Sequence, residues 1–177
     1  MILGLDVSTS ITGATIIDDK GNVVFCEAWD TRKFKDFFEK AAYIRNRLVD
    51  TKAEFPITRI VIEQSLQMFR AGFSSAKTLT TLSKFNGAVS WMCYHLFGLK
   101  PEYVAAPTAR KLCGLKIKRG QKAKEVVLQY VLDSVPEFEV QYTKHGNPKP
   151  GSYDRADSLV IAKAGLIQCQ EEKKRTS

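Results

Sequence analysis

Three apolar runs within the first 29 residues, Ile2 to Asp6, Thr12 to Asp18 and Asn22 to Trp29, leave this chain of 177 residues few folds to choose from. Each run is too short for a core helix. The Asp-Asp-Lys-Gly-Asn stretch between the last two is turn chemistry, because Gly21 and Asn22 tolerate positive φ. The chain therefore opens with three antiparallel strands. The period then changes: Phe34, Phe37, Phe38, Ala41, Ile44 and Leu48 recur at helical spacing. After Pro56, the run Thr58 to Ile62 is apolar on both faces and reads as a buried strand. A long helix follows, marked by Ala76, Leu79, Leu82, Val89, Met92 and Leu96. Next come a strand from Tyr103 to Ala106, a short helix opening at Pro107 and Thr108, and helices over Lys122 to Leu132 and Tyr153 to Gln168. A meander followed by parallel strands with helical crossovers predicts an α/β fold, a mixed five-stranded sheet with helices on both faces. The pattern predicts one domain over residues 1–170, a flexible loop from Thr143 to Ser152, and a polar tail over 171–177 that frays.

Composition narrows the partners. With 44% hydrophobic residues the chain carries a full core, and net charge +8 favours a polyanion, nucleic acid ahead of a membrane surface. Cys26, Cys93, Cys113 and Cys169 are widely spaced, without a CxxC pair or adjacent histidines, which predicts idle thiols in a reducing compartment. The chain opens directly on a strand, so no leader is expected. No window approaches the roughly 20 apolar residues of a membrane span. The expected setting is the cytoplasm, in association with DNA.

Four carboxylates stand where a core has no use for them. Asp6 ends the first apolar run and Glu63 closes Ile-Val-Ile, while Asp154 and Asp157 open the last helix three residues apart, on one face. Asp6 projects opposite Leu5, and adjacent strand ends can bring it and Glu63 to one ion. An aspartate alone at a helix start is an ordinary partner of the helix dipole. A glutamate closing a buried strand is costly without a counter-ion. Oxygen-only ligands suit hard divalent cations such as magnesium, which serve phosphoryl chemistry. An acidic pocket in a basic protein points to a metal-dependent nuclease.

The segment Ile2-Leu3-Gly4-Leu5-Asp6-Val7-Ser8-Thr9-Ser10-Ile11-Thr12-Gly13 resembles the first motif of RuvC-type Holliday junction resolvases. Ile62-Glu63-Gln64 resembles their second motif, and Asp154-Arg155-Ala156-Asp157-Ser158-Leu159-Val160-Ile161-Ala162 their last. Ala105 to Lys111 with Gly114 resembles the family's basic segment. The likeness spans nearly the whole chain and implies the ribonuclease H-like fold. It further implies a homodimer that resolves four-way DNA junctions by paired symmetric nicks, leaving ligatable 5′-phosphate and 3′-hydroxyl ends. It implies two magnesium ions per active site, replaceable by manganese, held by Asp6, Glu63, Asp154 and Asp157. No membrane and no small-molecule substrate is expected. The family's usual Asp-Pro-Gly-Ser is Asp6-Val7-Ser8-Thr9 here, and the loop after Glu63 is longer, which suits a divergent viral or phage branch acting in host cytoplasm.

Two stretches supply candidate DNA contacts. Phe69, Arg70 and Phe73 follow Glu63 in QMFRAGF, where aromatics in a basic loop can stack on opened bases, Phe69 foremost. Arg110, Lys111, Lys116, Lys118, Arg119, Lys122 and Lys124 crowd around Gly114 and Gly120, a combination suited to phosphates. Arg110 and Lys122 best fit the family's functional cations, with Lys124 the alternative. The rival readings are a sugar-kinase-like nucleotide fold, for which 177 residues are too few, a broader flap or three-way debranching nuclease, an RNA-processing nuclease, and a junction-binding module without catalysis.

Overall fold

The computed structural model describes residues 1–64 and 76–176. Their order is β1 (Ile2–Asp6), β2 (Ile11–Ile17), β3 (Val23–Asp30), α1 (Phe37–Glu54), β4 (Arg59–Glu63), α2 (Ala76–Phe97), β5 (Glu102–Val104), α3 (Ala106–Leu112), α4 (Ala123–Ser134) and α5 (Ser152–Thr176). The sheet order is β3-β2-β1-β4-β5, with β2 antiparallel to β1 and β3, and β1, β4 and β5 parallel. The expected mixed five-stranded sheet is present, with helices on both faces.

Alternation along β1 divides the core. Ile2 packs with Val61, Val104, α4 and α5, whereas Leu3 and Leu5 pack with Ile60, Ile62 and the buried faces of α1 and α2. Gly4 and Asp6 share the face of Ile2, and Glu63 shares the face of Val61. Both acids therefore turn toward α5.

Several boundaries differ from the sequence pattern for local reasons. Asp36 caps α1 by accepting from Phe38 N and Glu39 N, so Phe34 stays outside the helix. Residues 143–152 are not a slack loop: Thr143 N donates to Asn147 O at 2.8 Å and Lys149 N to Gln141 O at 2.8 Å, closing a small hairpin. Residues 171–176, expected to fray, continue α5. Lys173, Lys174 and Arg175 suit the negative end of the helix dipole, and Arg59 pairs with Glu172 at 3.2 Å. All four cysteines are free, and burial pushes the Cys93 thiol up to about 12. Among the described residues no helix is long and apolar enough to cross a membrane.

Candidate active site

Two parallel strands end side by side at the site. Leu5 is in register with Ile62, so the next residues, Asp6 and Glu63, leave the sheet as neighbours. Asn86 of α2 donates its Nδ2 to Glu63 O at 3.0 Å, and Gln64 N donates to Val104 O at 2.9 Å, holding the end of β4.

The first turns of α5 close the other side. Its approach depends on glycine: a methyl at Gly4 would lie 2.6 Å from Ser158 O and Ala162 N, and one at Gly13 would lie 1.9 Å from Asp154 O. Gly13 is the register partner of Asp6, so this contact carries the backbone of Asp154 up to Asp6. A buried bond of 2.7 Å between the hydroxyls of Thr15 and Ser158 fastens the same crossing. Gly151, at φ 92°, supplies the left-handed turn into the helix.

The electrostatics express this convergence. Burial, then the charges of Glu63, Asp157 and Asp154, hold the Asp6 carboxyl well above the carboxylate range. Burial and the Asp157 charge push Glu63 up to about 7, and burial raises Asp157 to about 6. Asp154 is raised by burial as well. Lys124 opposes the rise at all four acids, and Arg110 does so at Glu63 and Asp157. Among the described residues, no three of these side chains stand in a ready ligand arrangement. The cluster is a set of part-buried carboxylates in which burial and neighbouring charges make ionisation harder.

The remaining candidates separate. Lys122 is exposed and pairs with Glu125 at 2.9 Å, so at this helix start it is Lys124, two residues on, whose charge reaches the acids. Lys111, Lys116, Lys118 and Arg119 are exposed, on α3 and the stretch that joins it to α4. Phe69, Arg70 and Phe73 lie outside the described residues. The pattern gave no sign of Arg32, at the end of β3, whose charge also acts on Asp154, because the register of β3 on β2 brings it there. The roles of Gly4, Gly13 and Asn86 were equally hidden.

The Ser/Thr-rich turn after Asp6 is closed on itself. Thr12 Oγ1 donates to Ser8 O at 3.1 Å, and Thr31 Oγ1 donates to Thr9 O at 2.9 Å. Ser10 N donates to Ser8 Oγ at 3.2 Å, so the turn is held by its own Ser8 hydroxyl and by those of Thr12 and Thr31.

No protein-family model and no curated protein matches this sequence. Solved structures do. Thermus thermophilus RuvC in complex with Holliday junction substrate is 15% identical over 96% of this chain and 94% of that one, with a TM-score of 0.67. A second structure of Thermus thermophilus RuvC is 19% identical over 97% and 96%, at 0.65. The yeast mitochondrial Holliday junction resolvase Ydc2 is 14% identical over 99% of this chain and 81% of that one, at 0.63. The fold is a RuvC-type ribonuclease H-like fold.

Proposed function

We propose that this chain is a magnesium-dependent, structure-selective DNA endonuclease that resolves four-way junctions by paired symmetric nicks. The observation that carries this reading is the convergence of Asp6, Glu63, Asp154 and Asp157 at one end of the sheet, each raised by burial or by its neighbours, beneath Lys124 and Arg110. The fold shared with junction resolvases supports it.

The four acids would hold the metal, two ions in the family's manner, with manganese as a substitute. Bound there, magnesium supplies an activated water and neutralises charge on the phosphoryl oxygens. The chain's own part is to orient the scissile strand. Lys124 and Arg110 offset the negative field that four carboxylates present to an incoming phosphate, and the arc from Lys111 to Arg119 holds the flanking backbone. No protein nucleophile is required, and the products are 5′-phosphate and 3′-hydroxyl ends.

Paired nicks require two sites, so a homodimer belongs to the proposal. Trp91 and Tyr94, 62% and 57% exposed on α2, support that helix as the face between copies. The proposed setting is cytoplasmic and DNA-associated.

The test is incubation with a labelled synthetic four-way junction and a matched duplex, in magnesium and in EDTA. Ligatable paired nicks on the junction alone, only with magnesium, are expected. Equal cutting of flaps would widen the activity to debranching. Cutting of structured RNA alone, or tight binding without any cutting, would overturn the proposal. A second expectation separates the two lysines at the start of α4. Lys124→Ala lowers the nicking rate by about 10- to 100-fold, as for loss of a preorganised charge. Lys122→Ala, its charge already engaged by Glu125, lowers it by less than about 3-fold. Single-turnover rates check both, and equal losses would remove Lys124 from the site.

A further inference from the structure

Asp6 and Glu63 sit on the central strands β1 and β4, with Asp154 and Asp157 on α5 beside them, and Arg110 of α3 and Lys124 of α4 act on this cluster. At the β3 edge, where β3 ends at the same end of the sheet, a second cationic surface faces the site. Asp30 pairs with Ile11 in register, and the chain then turns over a shallow cavity of about 550 Å³ lined by Asp30, Arg32, Lys33 and Tyr43. Its floor is fixed: buried Thr31 bonds to the carbonyls of Thr9 and Ser10, and Lys40 Nζ donates to Thr9 O at 2.6 Å. Asp36, the other acid of this turn, caps α1.

Two cations stand over that floor. Arg32 Nε donates to both carboxylate oxygens of Asp30, at 2.9 and 3.0 Å, and one Nη2 hydrogen donates at 2.5 Å. A guanidinium has five N–H donors; these bonds engage two and leave three, on a side chain that is 52% exposed. Asp30 thus orients the fork without consuming it. Lys33 lies over the rings of Phe34 and Tyr43, 5.0 and 5.5 Å from their centroids, which holds its stem and leaves the ammonium at the surface.

We propose that Arg32 and Lys33 form a second phosphate-binding site, which grips the DNA backbone on the side of the acid cluster opposite Lys124 and Arg110. This rests on the proposed nuclease reading and adds a contact the basic arc does not provide. β3 is two strand spacings from β1, about 10 Å. Successive phosphates of one strand lie apart by about twice the 3.4 Å axial rise, so the phosphate held there is about one to two nucleotides from the one cut. A strand gripped at both edges of the sheet crosses the carboxylates in one direction, whereas a single basic arc leaves its path open. Arg32 is the specific half of the site, because only its preset fork matches a phosphate with two donors.

The experiment is junction binding in EDTA between about 50 and 200 mM salt for the wild type, Arg32→Ala, Lys33→Ala, the double variant and Arg32→Lys. Each alanine is expected to reduce the slope of log K against log salt by about 1, and the pair by about 2. Arg32→Lys keeps the slope while weakening binding several-fold. A methylphosphonate about one to two nucleotides from the nick should abolish the difference between wild type and Arg32→Ala, which a merely structural role for Arg32 would not do. Unchanged slopes in both alanine variants, with normal wild-type binding, overturn the site and leave the nuclease reading standing. A folded wild type that binds no branched DNA overturns both. Should Arg32→Ala misfold, Lys33→Ala carries the same test, since no hydrogen bond of the turn depends on it.

Discussion

Replacing Glu63 with glutamine is expected to abolish magnesium-dependent nicking and, at the same time, to raise the melting temperature of the metal-free protein. The two effects share one cause. A carboxyl held at about 7, against an ordinary 4.5, is an acid that folding makes harder to ionise. Its folded value lies above its unfolded one, so its stabilising effect is full below about 4.5 and is lost as pH rises through about 7. Taken alone that difference is about 3 kcal/mol, and sharing the charge with Asp157 reduces it to roughly 1–2 kcal/mol. Glutamine keeps the shape and removes the charge. Near neutral pH the variant should therefore melt roughly 3–6 °C higher than the wild type, and its melting temperature should fall less between pH 5 and 7.5. Excess magnesium should raise the wild-type melting temperature and leave that of the variant nearly unchanged. Junction binding in EDTA should persist. Thermal melts across pH, with and without magnesium, decide the matter: a variant less stable than the wild type at every pH would mean that Glu63 serves the fold and not a cation.

The same conflict between charge and burial makes the acids legible in the sequence. Asp6 and Glu63 close runs that otherwise read as core, and an acid in that position announces a cost that something else must offset. The sheet was legible for a related reason, since β1, β2 and β4 are short, apolar runs, strongly β-branched in β2 and β4. Side-chain geometry at helix starts was not. Lys122 and Lys124 are equivalent in a sequence. Only the N-cap position of Lys122, which aims it at Glu125, hands the acid-facing place to Lys124. Arg32 was invisible because its nearness to Asp154 comes from the pairing of β3 with β2 and the docking of α5, two contacts far apart in the chain. The glycines were hidden for the opposite reason. A glycine in a strand pattern reads as a weakness, and the backbone that would collide with a side chain there belongs to a helix some 140 residues later.

Gly13 shows how much depends on that collision. A methyl on Gly13 would stand 1.9 Å from Asp154 O, 2.5 Å from its carbonyl carbon and 3.1 Å from Ser158 Cβ. The first two atoms are backbone in the opening turns of α5, so no rotamer change relieves the clash. Either β2 bends away from β1 or the start of α5 lifts from the sheet. Lifting breaks the buried Thr15–Ser158 bond and carries Asp154 and Asp157 away from Asp6. Gly13→Ala is therefore expected to cost about 3 kcal/mol or more, at the upper end of overpacking, and to reduce nicking by at least about 100-fold even where the protein remains folded. Gly87→Ala is the matched control: it lies in α2 with nothing among the described residues within 4 Å of the added methyl, and by helix propensity it should be neutral or stabilising by up to about 1 kcal/mol. Urea unfolding of both variants beside single-turnover nicking separates the steric argument from a general intolerance of alanine. A Gly13→Ala protein with wild-type stability and activity would mean that α5 does not rest on the sheet at this point, and the convergence of the four acids would lose its structural basis.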